Sequence, residues 1–254
     1  MRTFSLQSGS NGNCIYVESD GVALLFDAGI SGLQAQRRLA AHDRDIRRVA
    51  GVILSHDHID HVRCAGIYQR KFGLPIYVTL PTFRRIGRGL GRVDHVRHFA
   101  PGDRLDFGPL TVQTLRTAHD AVDGVAFVVE DDGKRLGILT DLGHPFAGLS
   151  ELIGRLDAAY LESNYDAKML ENGPYPASLK ARIRGRGGHL SNLESAHLAR
   201  TGAAKRLQWV AVAHLSEHNN TPELAIQTHR HELGRQFAIH WASRYGPTEW
   251  LRVE

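Results

Sequence analysis

The sequence predicts an α/β fold. Short apolar runs bounded by turn residues alternate with amphipathic stretches at helical spacing. Several of those runs stop on a residue that binds metals: Leu54-Ser55 precedes His56, Leu139-Thr140 precedes Asp141, and Ala213 precedes His214. A hydrophobic fraction of 42% and a charged fraction of 23% over 254 residues fit a globular chain with a substantial core.

The elements follow in order. Ile15–Glu18 and Val22–Phe26 read as strands joined by the turn Ser19-Asp20-Gly21. Residues 32–41 read as a helix, with Ser31 as its N-cap. Val49–Leu54 is a buried strand running straight into the histidine motif, and residues 61–72 form a helix stopped by Gly73. Ile76–Val78 is a short strand, followed by helix over 81–88. Leu110–Arg116, Val125–Glu130 and Arg135–Thr140 are strands, the last two paired across Asp131-Asp132-Gly133. Helix is expected over 146–155, strand over 157–161, and helices near 177–184 and 191–201. Trp209–Ala213 is a buried strand, and a helix at 222–232 precedes strands at 236–240 and 249–253.

Composition narrows the function. No apolar run approaches the roughly 18 residues of a membrane span, so no membrane partner is expected. The first residues lack the pattern of a signal peptide, and a cytoplasmic location is expected. Cys14 and Cys64 form no CxxC pair and read as free, partly buried thiols; Cys64, three residues after the histidine motif, could also support it. The chain carries 15 His and a net charge of +4, with arginine dominating its basic residues. A basic surface permits binding to a polyanion, and arginine suits phosphate.

The chemistry centres on His56-Asp57-His58-Ile59-Asp60-His61. On an extended segment, residues two apart project to the same side, so His56 and His58 can face one ion. Asp60 and His61 follow within one turn and can face another. A structural zinc needs four ligands. The motif with the strand ends offers more, which argues for two ions, Zn²⁺ or Mn²⁺.

The order HxHxDH, then His119, Asp141 and His214, with Asp27 after the strand Val22–Phe26, resembles the metallo-β-lactamase-fold hydrolases. That resemblance spans the chain. It implies a four-layer αβ/βα sandwich forming a single domain over 1–254. The stretch from Asp141 to His214 is too short for a β-CASP-type insertion. Carried over, one ion takes His56, His58 and His119; the other takes Asp60, His61 and His214; Asp141 bridges them. Asp27 and Asp57 are expected to orient the ligand imidazoles. A metal-bridging hydroxide oriented by Asp60 is the expected nucleophile, with Asp60 and His218 as the catalytic residues.

Four segments resemble the YycJ/WalJ branch in particular: Ser8–Cys14, Leu161–Asp166, Gly188–Asn192 and His214–Pro222. The branch implies a 5′-to-3′ exodeoxyribonuclease with DNA as partner. His189, Ser191, Asn192, Asn164, Ser216 and Asn219 are then expected to bind substrate. Ser191 or Asn192 would serve equally as an ordinary helix N-cap. Arg182, Arg184 and Arg186 could track a DNA backbone or form a solvated helix face. A small-molecule hydrolase, either a cyclic phosphodiesterase or a lactonase-type acyl hydrolase, is the alternative activity, and a metal-stabilised scaffold is the non-catalytic one.

Overall fold

The computed structural model describes residues 1–203 and 206–254. Among them, fourteen strands build two seven-stranded sheets. The first sheet uses β1 (Arg2–Gln7), β2 (Cys14–Ser19), β3 (Val22–Phe26), β4 (Gly51–Ile53), β5 (Ile76–Thr79) and β6 (Val96–Phe99). The second uses β7 (Arg104–Phe107), β8 (Leu110–Arg116), β9 (Val125–Asp131), β10 (Lys134–Leu139), β11 (Ala158–Glu162), β12 (Trp209–Ala213) and β13 (Ala238–Trp241). A last strand, β14 (Leu251–Arg252), returns to the first sheet beside β1. Spatial order is β14-β1-β2-β3-β4-β5-β6 and β13-β12-β11-β10-β9-β8-β7.

The central strands alternate their side chains between two buried faces. Ile15, Val17, Leu24 and Phe26 point inward to meet Val125, Phe127 and Val129 of the other sheet. Phe26 and Phe127 touch across the gap with ring centroids 5.1 Å apart. Tyr16, Ala23 and Leu25 point outward onto Ala35, Leu39, Tyr68 and Phe72 of the helices that cover the first sheet. Ala126 and Val128 point outward onto Leu149, Ile153, Leu198 and Ala225 on the other side. The result is helix, sheet, sheet, helix: the expected four-layer α/β sandwich.

Local chemistry sets the connections. Asp20 (φ 44°) and Gly21 (φ 82°), and Asp132 (φ 46°) and Gly133 (φ 80°), are left-handed pairs in two-residue hairpins, the backbone that suits the twist of paired strands. Ser31 caps Gly32–Ala40 in a reciprocal box with Gln34. Gly73 ends Ala65–Phe72 in the left-handed conformation.

Some boundaries move. The helix expected over 61–72 is two helices, Ile59–Val62 and Ala65–Phe72, separated at Cys64 (φ −111°, ψ 3°). The one expected over 146–155 is only Leu149–Ile153, entered through left-handed Gly148. Strands β1, β6 and β7 and the helix Ala167–Asn172 were not expected from the sequence. No described helix is long and apolar enough to cross a membrane.

Strands β3 to β6 run parallel, as do β10 to β13. The carboxyl ends of β3, β4, β10, β11 and β12 meet along one edge. Open α/β sheets bind ligands outside such ends.

Candidate metal centre at the strand ends

Three residues leave their strands in the left-handed conformation: Asp27 (φ 65°) after β3, Asp141 (φ 54°) after β10, and His214 (φ 55°) after β12. Such backbone is uncommon for residues with a Cβ, and Asp and His are among the types that tolerate it. Strain of this kind gathers at functional sites.

The histidine motif occupies the end of β4. His58 opens the helix Ile59–Val62, whose backbone is tied down from both sides: Ala28 N–H donates to His61 O at 2.7 Å, and Asn13 N–H to Asp60 O at 2.8 Å. Gly29 permits this approach, because a Cβ there would lie 1.6 Å from the Asp60 carbonyl oxygen.

The donor atoms converge. His56, His58 and His119 offer nitrogens all within 4.8 Å of one another, and so do the donors of Asp60, His61 and His214. Asp141 lies between them: its Oδ2 is 3.2 Å from His61 Nε2, and its Oδ1 is 3.6 Å from His119 Nε2 and 3.5 Å from His214 Nδ1. Further groups fix the imidazoles from behind. Asp27 Oδ2 lies 2.7 Å from His61 Nδ1, while Ser55 N–H donates to Asp27 Oδ1 at 2.8 Å. His119 Nδ1–H donates to the Gly188 carbonyl at 2.8 Å, which leaves Nε2 facing the cluster, 3.2 Å from His58 Nδ1.

This arrangement suits cations. His56 Nε2 and Asp141 Oδ2 are buried without a hydrogen-bond partner. Such atoms are rare unless something else satisfies them. Burial pushes the His56 imidazole well below its ordinary range, and neighbouring His61 adds to this. His61 is as deeply buried, yet Asp27, Asp60 and Asp141 together overcome burial and hold it well above. Burial would raise Asp60, but His61 and His214 reverse this and keep it ionised. Carboxylates packed this densely require positive charge among them, and imidazole with carboxylate is a donor set for Zn²⁺ or Mn²⁺.

Other expected residues lie elsewhere or have other partners. Asp57 does not orient an imidazole: its Oδ1 accepts from Val122 N–H at 2.9 Å and so staples the 119–124 loop. His218 is exposed and sits against Tyr175, ring centroids 5.7 Å apart, rather than among the donors. Ser191 is a cap, its hydroxyl accepting from Glu194 N–H. The Asn192 amide is spent on Ser163 Oγ (2.7 Å) and Asn220 Oδ1 (2.9 Å). Asn164 holds the His214 carbonyl at 2.8 Å, and Asn219 is buried against Ser216 Oγ at 3.3 Å. Ser191, Asn192, Asn164 and Asn219 thus fasten the loops around the centre. Ser216 is half-exposed. Of the basic run, Arg182 donates to Asp120 at 2.6 Å, beside His58 and His119.

His189 does reach the cluster. Its Nδ1 lies 2.6 Å from Glu162 Oε1 and 3.5 Å from Asp141 Oδ1. Glu162, fully buried at the end of β11, was missed by sequence reasoning. The signal was present, since β4, β10 and β12 also lead into donor residues. Asn13 was missed too: its Nδ2 lies 3.2 Å from Asp60 Oδ2 and 3.0 Å from His61 Nε2.

Comparison with known proteins agrees with this geometry. A family model described as "Beta-lactamase superfamily domain" matches residues 23–215. The chain belongs to this superfamily. It is 31% identical over 253 residues to the exodeoxyribonuclease YycJ of Bacillus anthracis, covering 96% of both chains. It is 32% identical over 234 residues to the exodeoxyribonuclease WalJ of Streptococcus pneumoniae, covering 91% of this chain and 87% of the relative. Among solved structures, the metallo-β-lactamase fold protein YhfI from Bacillus subtilis superposes with a TM-score of 0.73 at 19% identity, covering 97% of this chain and 98% of that one. This metallo-β-lactamase-fold chain is therefore a hydrolase of the YycJ/WalJ branch, and its fold implies divalent metal.

Proposed function

We propose that the chain is a dinuclear metal-dependent phosphodiesterase that removes nucleotides from DNA as a 5′-to-3′ exodeoxyribonuclease in the cytoplasm. It would do so as a single catalytic domain without an insertion. The observation that carries this reading is the pair of three-residue donor groups sharing Asp141. The similarity to YycJ and WalJ supports the choice of DNA.

His56, His58 and His119 would hold one ion, and Asp60, His61 and His214 the second, with Asp141 reaching both. When bound, two divalent ions, Zn²⁺ or Mn²⁺, would supply an activated water at neutral pH and positive charge for the attacking and leaving oxygens. The chain's own groups do the rest. Asp27 and the Gly188 carbonyl hold the Nδ1 sides of His61 and His119, so that each presents Nε2. Asp60, held ionised and reached by Asn13, is placed to orient the attacking water by accepting its hydrogen bond. His189 uses Nδ1 on Glu162 and keeps Nε2 for the substrate.

The test is digestion of end-labelled linear duplex DNA in Mn²⁺ or Zn²⁺, with Asp60→Ala as control. Stepwise loss from the 5′ end, abolished in the variant although it stays folded, is the expected outcome. Near-normal digestion by Asp60→Ala would defeat the assignment of Asp60. No digestion by protein carrying two metals per chain would point instead to a small ester or phosphodiester substrate.

A further inference from the structure

A second polar cavity lies next to the metal centre. It encloses about 450 Å³ and is lined by Arg38, Arg63, Arg244, Gln7 and Asn11, with Tyr245 at its rim. None of the metal donors lines it, but it shares loops with the Asp60–His61–His214 group. Arg63 follows His61 by two residues. Asn11 belongs to the loop whose Asn13 reaches Asp60 and His61. A Cβ on Gly9 would lie 3.1 Å from Arg244 Cβ and 3.5 Å from the carbonyl of Leu215, the residue after His214.

The charge in this cavity is largely uncompensated. Arg38 donates to Leu6 O, Gln7 Oε1 and Tyr245 O, all neutral acceptors. Arg63 donates to Gly29 O and Asn11 O, also neutral. Neither pairs with a carboxylate among the described residues. Among the described residues the only carboxylate Arg244 meets is Glu217, at 3.1 Å, through Nη2. Arg244 is 8% exposed, and its Nε and Nη1 are buried with no partner. Leaving guanidinium donors unsatisfied is costly, so the orphaned Arg244 donors, with the uncompensated charges of Arg38 and Arg63 beside them, favour an oxyanion.

The rim adds a different element. Tyr245 is 69% exposed, more than any other large apolar side chain described, and the Arg244 guanidinium lies 5.8 Å from its ring centroid. An open aromatic face beside a guanidinium is the pairing on which nucleobases stack while their phosphates are held.

We propose that this cavity is a nucleotide subsite: Arg38, Arg63 and Arg244 hold a phosphate of the substrate strand other than the one being cut, and Tyr245 stacks its base. The proposal rests on the reading of the chain as a DNA-cutting enzyme. Its test is binding of a fluorescent, phosphorothioate-linked single-stranded oligodeoxynucleotide to the metal-loaded protein, followed by anisotropy across a salt series. Tyr245→Ala should weaken binding at least about fivefold, the lower end of what losing a stacking aromatic costs. Arg63→Gln should flatten the salt slope by about 0.7, the contribution of one phosphate contact to a single strand. Arg235→Gln removes the same charge from a site beyond the helix Pro222–Leu233 and should leave the slope unchanged. If Tyr245→Ala binds like wild type, or if Arg63→Gln and Arg235→Gln behave alike, the subsite is overturned. If the wild type binds no oligonucleotide, the DNA reading fails. Titration with thymidine 5′-phosphate then decides the cavity by itself: binding lost in Arg63→Gln and Tyr245→Ala keeps it a nucleotide site, and no binding removes it.

Discussion

Asp27 shows how much one side chain can govern without touching a substrate. One oxygen lies against the His61 imidazole and the other accepts from Ser55 N–H, so the charge and the backbone hold each other in register. Asp27→Asn keeps the left-handed backbone tolerable and the side chain's size but removes the charge. Metal affinity is expected to fall about 10- to 100-fold, as for other carboxylates behind ligand histidines. Metal titration checks this, and wild-type affinity in the variant would remove Asp27 from the centre. The sequence was informative here because Phe26-Asp27 stood in a recognisable pattern. It was uninformative about Asn13, which resembles a turn residue, while Glu162 stood at the end of an apolar strand like the other donors and was passed over. Asn192 and His218 misled for the opposite reason. Their residue types suit phosphate, but hydrogen bonds at 2.7 and 2.9 Å occupy the first, and the second sits exposed beside Tyr175.

At the level of elements, two helices behind the second sheet carry a buried titratable contact of their own. His229, on Pro222–Leu233, donates Nδ1–H to Ala225 O at 2.8 Å and meets Ser195 Oγ of Asn192–Ala203 at 3.1 Å. Burial lowers its pKa from 6.5 to about 4. The unfolded chain therefore takes up this proton as pH falls below about 6.5, whereas the folded chain resists until about 4. The stability this residue contributes is complete above pH 6.5 and is lost through that window, by about 3 kcal/mol in all. Denaturant titrations at pH 7 and pH 4.5 should show His229→Gln losing less stability than wild type over the interval. Equal losses would mean that His229 does not control the acid response. The strands show where pattern reading succeeds. Those with long apolar runs, such as Trp209–Ala213, were evident, while β6 and β7 alternate with Arg, His and Asp at exposed edge positions and carry little hydrophobic signal. In β1, Thr3 and Ser5 are buried alongside Phe4 and Leu6, so polar residues occupy what is an interior strand.

For the whole molecule, the metal centre is also a clasp. It joins groups from the ends of strands in both sheets. Ions bound only by the folded state stabilise it by mass action, about 4 kcal/mol at a free concentration a thousandfold above the dissociation constant. For a chain of this size, removing them with a chelator is expected to lower the melting temperature by roughly 8 to 16 °C. Calorimetry before and after chelation measures it, and an unchanged transition would show that the centre is held together by protein alone.

The left-handed backbone at Asp141 and His214 bears on how the site could be altered. Most side chains cost about 1–2 kcal/mol in that conformation, whereas Asp, Asn and Gly escape much of the penalty and His is comparatively well tolerated. His56, His58 and His119 are under no such restriction. A designer, or natural variation, seeking softer ligands such as cysteine could exchange donors on the His56 side at little conformational cost. The same exchange at Asp141 or His214 would also have to rebuild the end of a strand. Asp141 and His214 are thus the donors least free to drift toward another metal preference.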